Sequence, residues 1–228
     1  MPTMLVILFL ILSYLLGSIP FGLLIGKIFL NIDIREHGSK NTGATNTVRV
    51  LGFKYGIFAF IFDMLKGAVI IVLVRLINDP TLFLVGPHDL NFSSLYGLAA
   101  VLGHVFPVYL KFKGGKAVAT SCGMILAIEP WVAIAIIVVF AIVFLITRYV
   151  SVASTFSAGV ILIYFIIRVF FEHPFYNLPT RLMDLGVIMF LGLLIINRHK
   201  LNYERLRLGT EFRFLPKRKS KKKNEESK

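Results

Sequence analysis

The chain has 228 residues, of which 57% are hydrophobic and 16% charged, with a mean hydropathy of +0.79. Soluble domains carry roughly a quarter charged residues, so this composition excludes an ordinary water-soluble enzyme and indicates a membrane protein. A formal charge of +13 does not by itself imply nucleic acid. The basic residues carry no nucleic-acid fold signature, and asymmetric placement around membrane spans explains them.

Residues 4–30 form the first apolar run. It is too long for a signal-peptide core and has no basic segment before it, so it reads as a retained span. The polar segment DIREHGSKNTGATNTVRVLG follows at 33–52. Gly38 and Gly43 permit close approach of a ligand, and successive N–H groups in such a loop can form an anion-binding nest. Ser39, Asn41, Thr45 and Asn46 add neutral hydrogen-bonding groups, and Lys40 and Arg49 add charge. The Arg49 fork suits an oxyanion because it can donate two parallel bonds.

Residues 54–77 read as the second span, with Asp63 and Lys66 in FDMLKG as an i,i+3 pair that supports the site. Residues 93–111 read as the third, and His104 on it as a hydrogen-bonded structural residue. Gly114, Gly115 and Lys116 then precede a short apolar stretch, 115–128. That puts Lys116 near a helix N-terminus, where free N–H groups and the helix dipole favour an anion. The nucleotide pattern GxxxxGK[ST] is absent. Cys122, the single cysteine, lies in this stretch and reads as a buried, inert thiol. Glu129-Pro130 reads as a turn.

Spans at 131–147, 151–171 and 182–197 follow. Ser151 and Ser154 begin the middle one, either to let helices pack closely or to donate into the site. The third polar segment, NRHKLNYERLRLGTEF at 197–212, puts His199, Asn202 and Arg205–Leu206 on one helix face. Residues 215–228 read as a basic, disordered cytoplasmic tail beside one membrane domain, 1–214.

Sidedness decides whether 115–128 crosses. If it does, there are seven spans, and the three polar segments share one side with twenty of the twenty-five Lys and Arg residues. The positive-inside rule then predicts an all-α protein with seven transmembrane helices, its N-terminus outside and its C-terminus cytoplasmic. The pocket so formed suits a phosphorylated, lipid-related substrate and works by positioning and charge stabilisation. No metal-spaced cluster of His, Asp or Glu is present in the sequence. A transporter for organic phosphates is the alternative at this point.

The motifs GSIPFG (17–22), GSKNTGATNTVRVLG (38–52), FDMLKG (62–67), GHVFPVYLKFKGGKAVAT (103–120), TRYVSVAS (147–154) and RHKLNYERLRLGTE (198–211), in this order, resemble the acyl-phosphate:glycerol-3-phosphate acyltransferases, the PlsY family of bacterial membrane enzymes. The resemblance implies seven spans in the bacterial cytoplasmic membrane and a cytoplasm-facing active site. It implies acyl phosphate and glycerol 3-phosphate as substrates, lysophosphatidic acid and phosphate as products, membrane lipid as surroundings, and no nucleic acid, cofactor or metal; a monomer is the expected state. It carries over to Ser39, Thr45, Arg49, Gly114, Lys116, Ser154, His199 and Asn202. Lys116 and Arg49 are expected to grip phosphate, Ser39, Ser154 and Asn202 to position substrate, and His199 to hydrogen-bond in the pocket. The histidines lack the His-x4-Asp motif of the other glycerol-phosphate acyltransferase family. Where the family usually has GGKG, this chain has Ala117, whose methyl group is expected to narrow the approach to phosphate.

Overall fold

A computed structural model describes residues 2–77, 84–85, 90–172 and 177–214. The expected tail, 215–228, lies outside the described residues. The described chain is helical apart from a small antiparallel pair, β1 (Leu84–Val85) and β2 (Leu90–Asn91).

The first apolar run is two helices, α1 (Pro2–Gly17) and α2 (Phe21–Leu30), bent by 43°. Pro20 has no N–H and cannot continue α1, and the break leaves backbone carbonyls without helical partners. Lys66 Nζ donates to one of them, Ile19 O, at 2.8 Å and lies 2.9 Å from Asp63 Oδ1. Both charged residues are at most 5% exposed. The in-span pair therefore closes a broken helix, a polar need met inside the bundle as the bilayer requires.

A short helix, α3 (Ala44–Leu51), precedes α4 (Phe53–Ile77). Next come α5 (Ser93–Val105), a 3-10 turn (Val108–Leu110), α6 (Val118–Ile128), α7 (Pro130–Thr147), α8 (Val150–Phe171), α9 (Leu178–Arg198) and α10 (Lys200–Arg207). Pro130 starts α7, where its missing N–H costs nothing. Five of the described helical segments are long and apolar enough to cross a bilayer, and the bent α1–α2 pair makes six. The stretch expected as a seventh span forms α6, of only 11 residues.

Small residues set the packing. A methyl group on Gly67 would overlap Thr120 O, one on Gly123 would overlap Met64 O, and one on Gly17 would overlap Ala100 O. Helices α4 and α6, and α1 and α5, thus approach with their backbones nearly touching, as apolar solvent favours. Tyr96, Met124, Ile125, Phe165 and Ile188 fill the core among them. Outer faces stay apolar: Trp131, Phe170 and Phe171 are highly exposed, as a lipid-facing surface should be.

Candidate active site

The three polar segments converge on one cavity of about 780 Å³. From the first, Ser39, Asn41, Gly43, Thr45, Asn46 and Arg49 line it. Lys116 comes from the second, Ser154 from α8, and His199 and Asn202 from the third. Gly38, Lys40, Gly114 and Gly115 are not among the lining residues; each has a place behind the wall or outside it.

Asn46 organises the first loop. Its buried side-chain oxygen accepts from Ser39 N at 2.7 Å, and its Nδ2 donates to Ile34 O, Asn41 O and His37 O at 2.8, 2.9 and 3.2 Å. Gly38 sits in the left-handed region, φ 60°, and a methyl there would strike Asn46 Oδ1. Lys40 is also left-handed, φ 58°, and its side chain is exposed. Asn41 Oδ1 takes the Gly43 N–H ahead of α3, while its Nδ2 donates to Gly114 O at 3.2 Å. One asparagine thereby ties the first segment to the second.

The Gly114–Gly115 turn is held from three sides. Gly115 N donates to His104 O at 2.9 Å, and Arg198 donates to Gly114 O and Gly115 O at 3.0 and 3.2 Å. A methyl on Gly115 would overlap the His104 ring. These glycines position Lys116 and do not face the cavity. Ala117 is fully buried and left-handed, φ 72°, at the N-cap of α6. Its methyl is not among the atoms lining the cavity, so the departure from GGKG acts through backbone conformation, which L-residues adopt at a cost of about 1 kcal/mol or more. Sequence reasoning placed the methyl against the phosphate because the backbone angle is not visible in the sequence.

Charge in the pocket is arranged around Glu211. Its Oε1 accepts from Asn202 Nδ2 and its Oε2 from Arg205 Nε, both at 2.8 Å, and Arg49 Nη2 lies 3.7 Å from Oε1. Lys116 Nζ donates to Asn202 Oδ1. Arg49 also lies 4.5 Å from the Phe212 ring centroid. Burial works to raise the Glu211 carboxyl, but the Arg205 and Asn202 bonds and the Arg205 and Arg49 charges hold it below the usual range. Burial, with Arg205, Arg49 and Arg198 nearby, brings the Lys116 ammonium down to about 8 despite Glu211. Burial and the Lys116 charge lower His199 to about 4. His199 Nδ1 lies 2.8 Å from Ile195 O. A carbonyl only accepts, so Nδ1 carries the proton and Nε2 is the open acceptor.

Glu211 was not singled out in the sequence; it is an acidic residue among basic neighbours, but nothing in TEF marks it as buried. The buried hydroxyls of Ser121, Ser151 and Ser157 also line the cavity, with no hydrogen-bond partner among the described residues. Ser154 donates to Val150 O at 2.8 Å. Asp63 and His104, treated as structural from sequence, form part of the wall.

Comparison with known proteins places this geometry. The family described as "Glycerol-3-phosphate acyltransferase" matches residues 7–209. A curated glycerol-3-phosphate acyltransferase of Acholeplasma laidlawii is 42% identical over 214 residues, covering 90% of this chain and 91% of the relative. That of Bacillus subtilis (strain 168) is 44% identical over 208 residues, covering 91% and 97%. A crystal structure of PlsY (YgiH), an integral membrane glycerol 3-phosphate acyltransferase in its glycerol 3-phosphate form, superposes with a TM-score of 0.76. It is 38% identical, with 92% of this chain and 96% of that one covered. The lysophosphatidic acid form gives 0.74.

Proposed function

This chain belongs to the glycerol-3-phosphate acyltransferase family, and on that premise we propose that it transfers a fatty acyl group from acyl phosphate to the sn-1 hydroxyl of glycerol 3-phosphate. The observation that carries this reading is the charge-rich end of the 780 Å³ cavity, where Lys116, Arg49 and Asn202 meet, opening into an apolar remainder. A phosphate belongs at the first and a hydrocarbon chain in the second.

The hydroxyl oxygen bonds to the acyl carbon, and the bond from that carbon to the phosphate oxygen breaks. Lys116 and Arg49 stabilise charge on phosphate, and unpaired hydroxyls such as Ser151 orient the reactants. The hydroxyl proton goes to a substrate phosphate, leaving lysophosphatidic acid and hydrogen phosphate. Two observations favour this acceptor. Glu211 is held ionised by its partners, and His199 is weakly basic, at about 4. A phosphate with a second pKa of about 6 is the better base. No cofactor enters the scheme.

In this reading α6 completes a seventh crossing, the N-terminus lies outside, and the site faces the cytoplasm from the bacterial inner membrane. Convergence of the three polar segments supports it, since an uncrossed α6 puts the third on the opposite side. Residues 1–214 act as one membrane unit, as a monomer. The test supplies palmitoyl phosphate and glycerol 3-phosphate to purified enzyme and measures phosphate and lysophosphatidic acid together. Equal release of the two, lost in Lys116→Ala, is expected. Phosphate without lysophosphatidic acid overturns the acceptor assignment.

A further inference from the structure

Helix α10 carries Asn202 to the cavity, yet it is poorly built to hold itself in place. It has only 8 residues, and a helix that short is not stable alone in water. It hangs from α9 through His199, whose carbonyl oxygen accepts from Asn202 N at 2.8 Å and from Tyr203 N at 3.0 Å. A helix joined at one end keeps its direction only if something further along it is fastened.

Among the described residues, the side chains of α10 make two hydrogen bonds to parts of the chain other than the segment that follows it. In one, Lys116 Nζ donates to Asn202 Oδ1. The other joins the Tyr203 hydroxyl and Thr155 Oγ1, 2.6 Å apart. Its direction follows from a neighbouring bond. Thr155 Oγ1 also lies 2.9 Å from Ser151 O. A carbonyl only accepts, so the one hydroxyl proton of Thr155 is used there. Tyr203 therefore donates and Thr155 accepts. The resulting chain, from Tyr203 through Thr155 to Ser151, ties α10 to the first turns of α8, where Ser151 and Ser154 line the cavity. The Tyr203 ring also lies beside that of His199, with centroids 6.2 Å apart and planes at 27°. Tyr203 and Thr155 are not themselves among the lining residues.

The two bonds differ in what substrate does to them. In the reading above, Lys116 turns to phosphate, and its bond to Asn202 is then shared or lost. Tyr203 and Thr155 face no substrate and stay bonded throughout. We propose that Tyr203 is a positioning residue for acyl transfer. Its hydroxyl, held by Thr155, fixes α10 against α8 and keeps Asn202 and His199 in register with Ser151 and Ser154 while phosphate occupies Lys116. This rests on the acyl-transfer reading above.

The experiment uses the full-length enzyme in vesicles with palmitoyl phosphate and glycerol 3-phosphate, counting lysophosphatidic acid formed. Misplacing a reacting group by about 1 Å costs up to about 10²-fold, and loosening one tether is expected to cost less. Tyr203→Phe removes only the hydroxyl, and Thr155→Val keeps the shape. Each is expected to lower kcat about fivefold and to leave KM for palmitoyl phosphate within about twofold. The double variant is expected to be no worse than the poorer single one, because both changes break the same bond. Thr155→Ser keeps the oxygen and is expected to retain the wild-type kcat within about twofold. Unfolding midpoints are expected to fall by no more than about 4 °C across the set, so the loss of kcat reports position and not folding. An unchanged kcat in Tyr203→Phe, losses that multiply in the double variant, or a Thr155→Ser enzyme no better than Thr155→Val overturns the positioning role alone. No lysophosphatidic acid from the wild type overturns the acyl-transfer reading and the role of Tyr203 with it.

Discussion

Two charged regions lie at opposite ends of the helical bundle, and they solve the cost of burying charge in different ways. At one end, a cavity of about 360 Å³ is lined by three arginines, Arg75, Arg168 and Arg181, and by three carboxylates. Arg168 Nη1 lies 2.8 Å from Glu129 and 3.9 Å from Asp184, and its Nε donates to Glu172 at 2.8 Å. There the charges balance: Arg168 reaches all three acids, and Arg75 and Arg181 donate to backbone carbonyls at helix ends. At the end bearing the candidate site, cations outnumber the acid they surround: Glu211 is shared by Arg205 and Arg49, and Lys116 and Arg198 make no ion pair among the described residues. A matched network holds helix ends together. A surplus of buried cations is unfavourable on its own and becomes favourable when an anion arrives. The Arg168 network is built to fasten helix ends, and the cluster around Glu211 is the one with cations to spare for an anion.

Substitution separates the two most sharply. Lys116→Ala is expected to cost about 10²–10³ in kcat/KM, the usual loss on removing a charge-stabilising donor, with thermal stability unchanged. Arg168→Ala should do the reverse: activity per folded molecule within about twofold, and about 2–3 kcal/mol of stability lost by leaving the acids unpaired, read by thermal unfolding in detergent. Loss of activity without loss of stability in Arg168→Ala would make the Arg168 region functional.

Glu211→Gln probes the surplus itself. Removing the shared carboxylate frees Arg49 and Arg205 from their partner and is expected to raise KM for glycerol 3-phosphate about tenfold, with a smaller effect on kcat. An unchanged KM would mean Glu211 does not organise the phosphate donors.

The third test is pH. In the proposed reading Lys116 grips phosphate when protonated, and its pKa is lowered to about 8. The gripping form is therefore fully present below that value and is lost as pH rises through it. The pH profile of kcat/KM should fall on an alkaline limb near pH 8, which Lys116→Arg moves out of range. Glu211 raises the Lys116 value, so in Glu211→Gln the limb should shift to lower pH. His199 stays neutral above about pH 4 and contributes no limb near neutrality.

The smallest expected effect concerns Ala117. Glycine in its left-handed N-cap position relieves backbone strain, offset in part by the greater freedom of glycine in the unfolded chain. Ala117→Gly should stabilise the protein by about 1 kcal/mol, measured as a rise in the unfolding midpoint, with kcat/KM little changed because the methyl does not line the cavity.

Much of this was legible in the sequence because it follows from local physics. Apolar runs long enough for a bilayer marked the helices, and the observed α4, α7 and α8 begin within one residue of the expected spans. Polar segments of glycine, asparagine, lysine and arginine marked the loops that converge on the cavity. The break at Pro20 was present in GSIPFG but reads as a bend only once Lys66 is seen capping Ile19 O. Gly114 and Gly115 looked like a phosphate cradle. Their actual neighbours are the His104 ring, from the helix just before them, and Arg198, from a helix distant in the chain.

The sequence by itself determined the solvent of this protein and the chemical character of its pocket, because hydropathy and residue type act through short-range solvation. Tertiary structure alone decided which charges have partners, that Glu211 is buried among Asn202, Arg205 and Arg49, and that the stretch after Lys116 forms a helix of only 11 residues. Those features depend on how separate helices meet, and no local pattern encodes the distance between them.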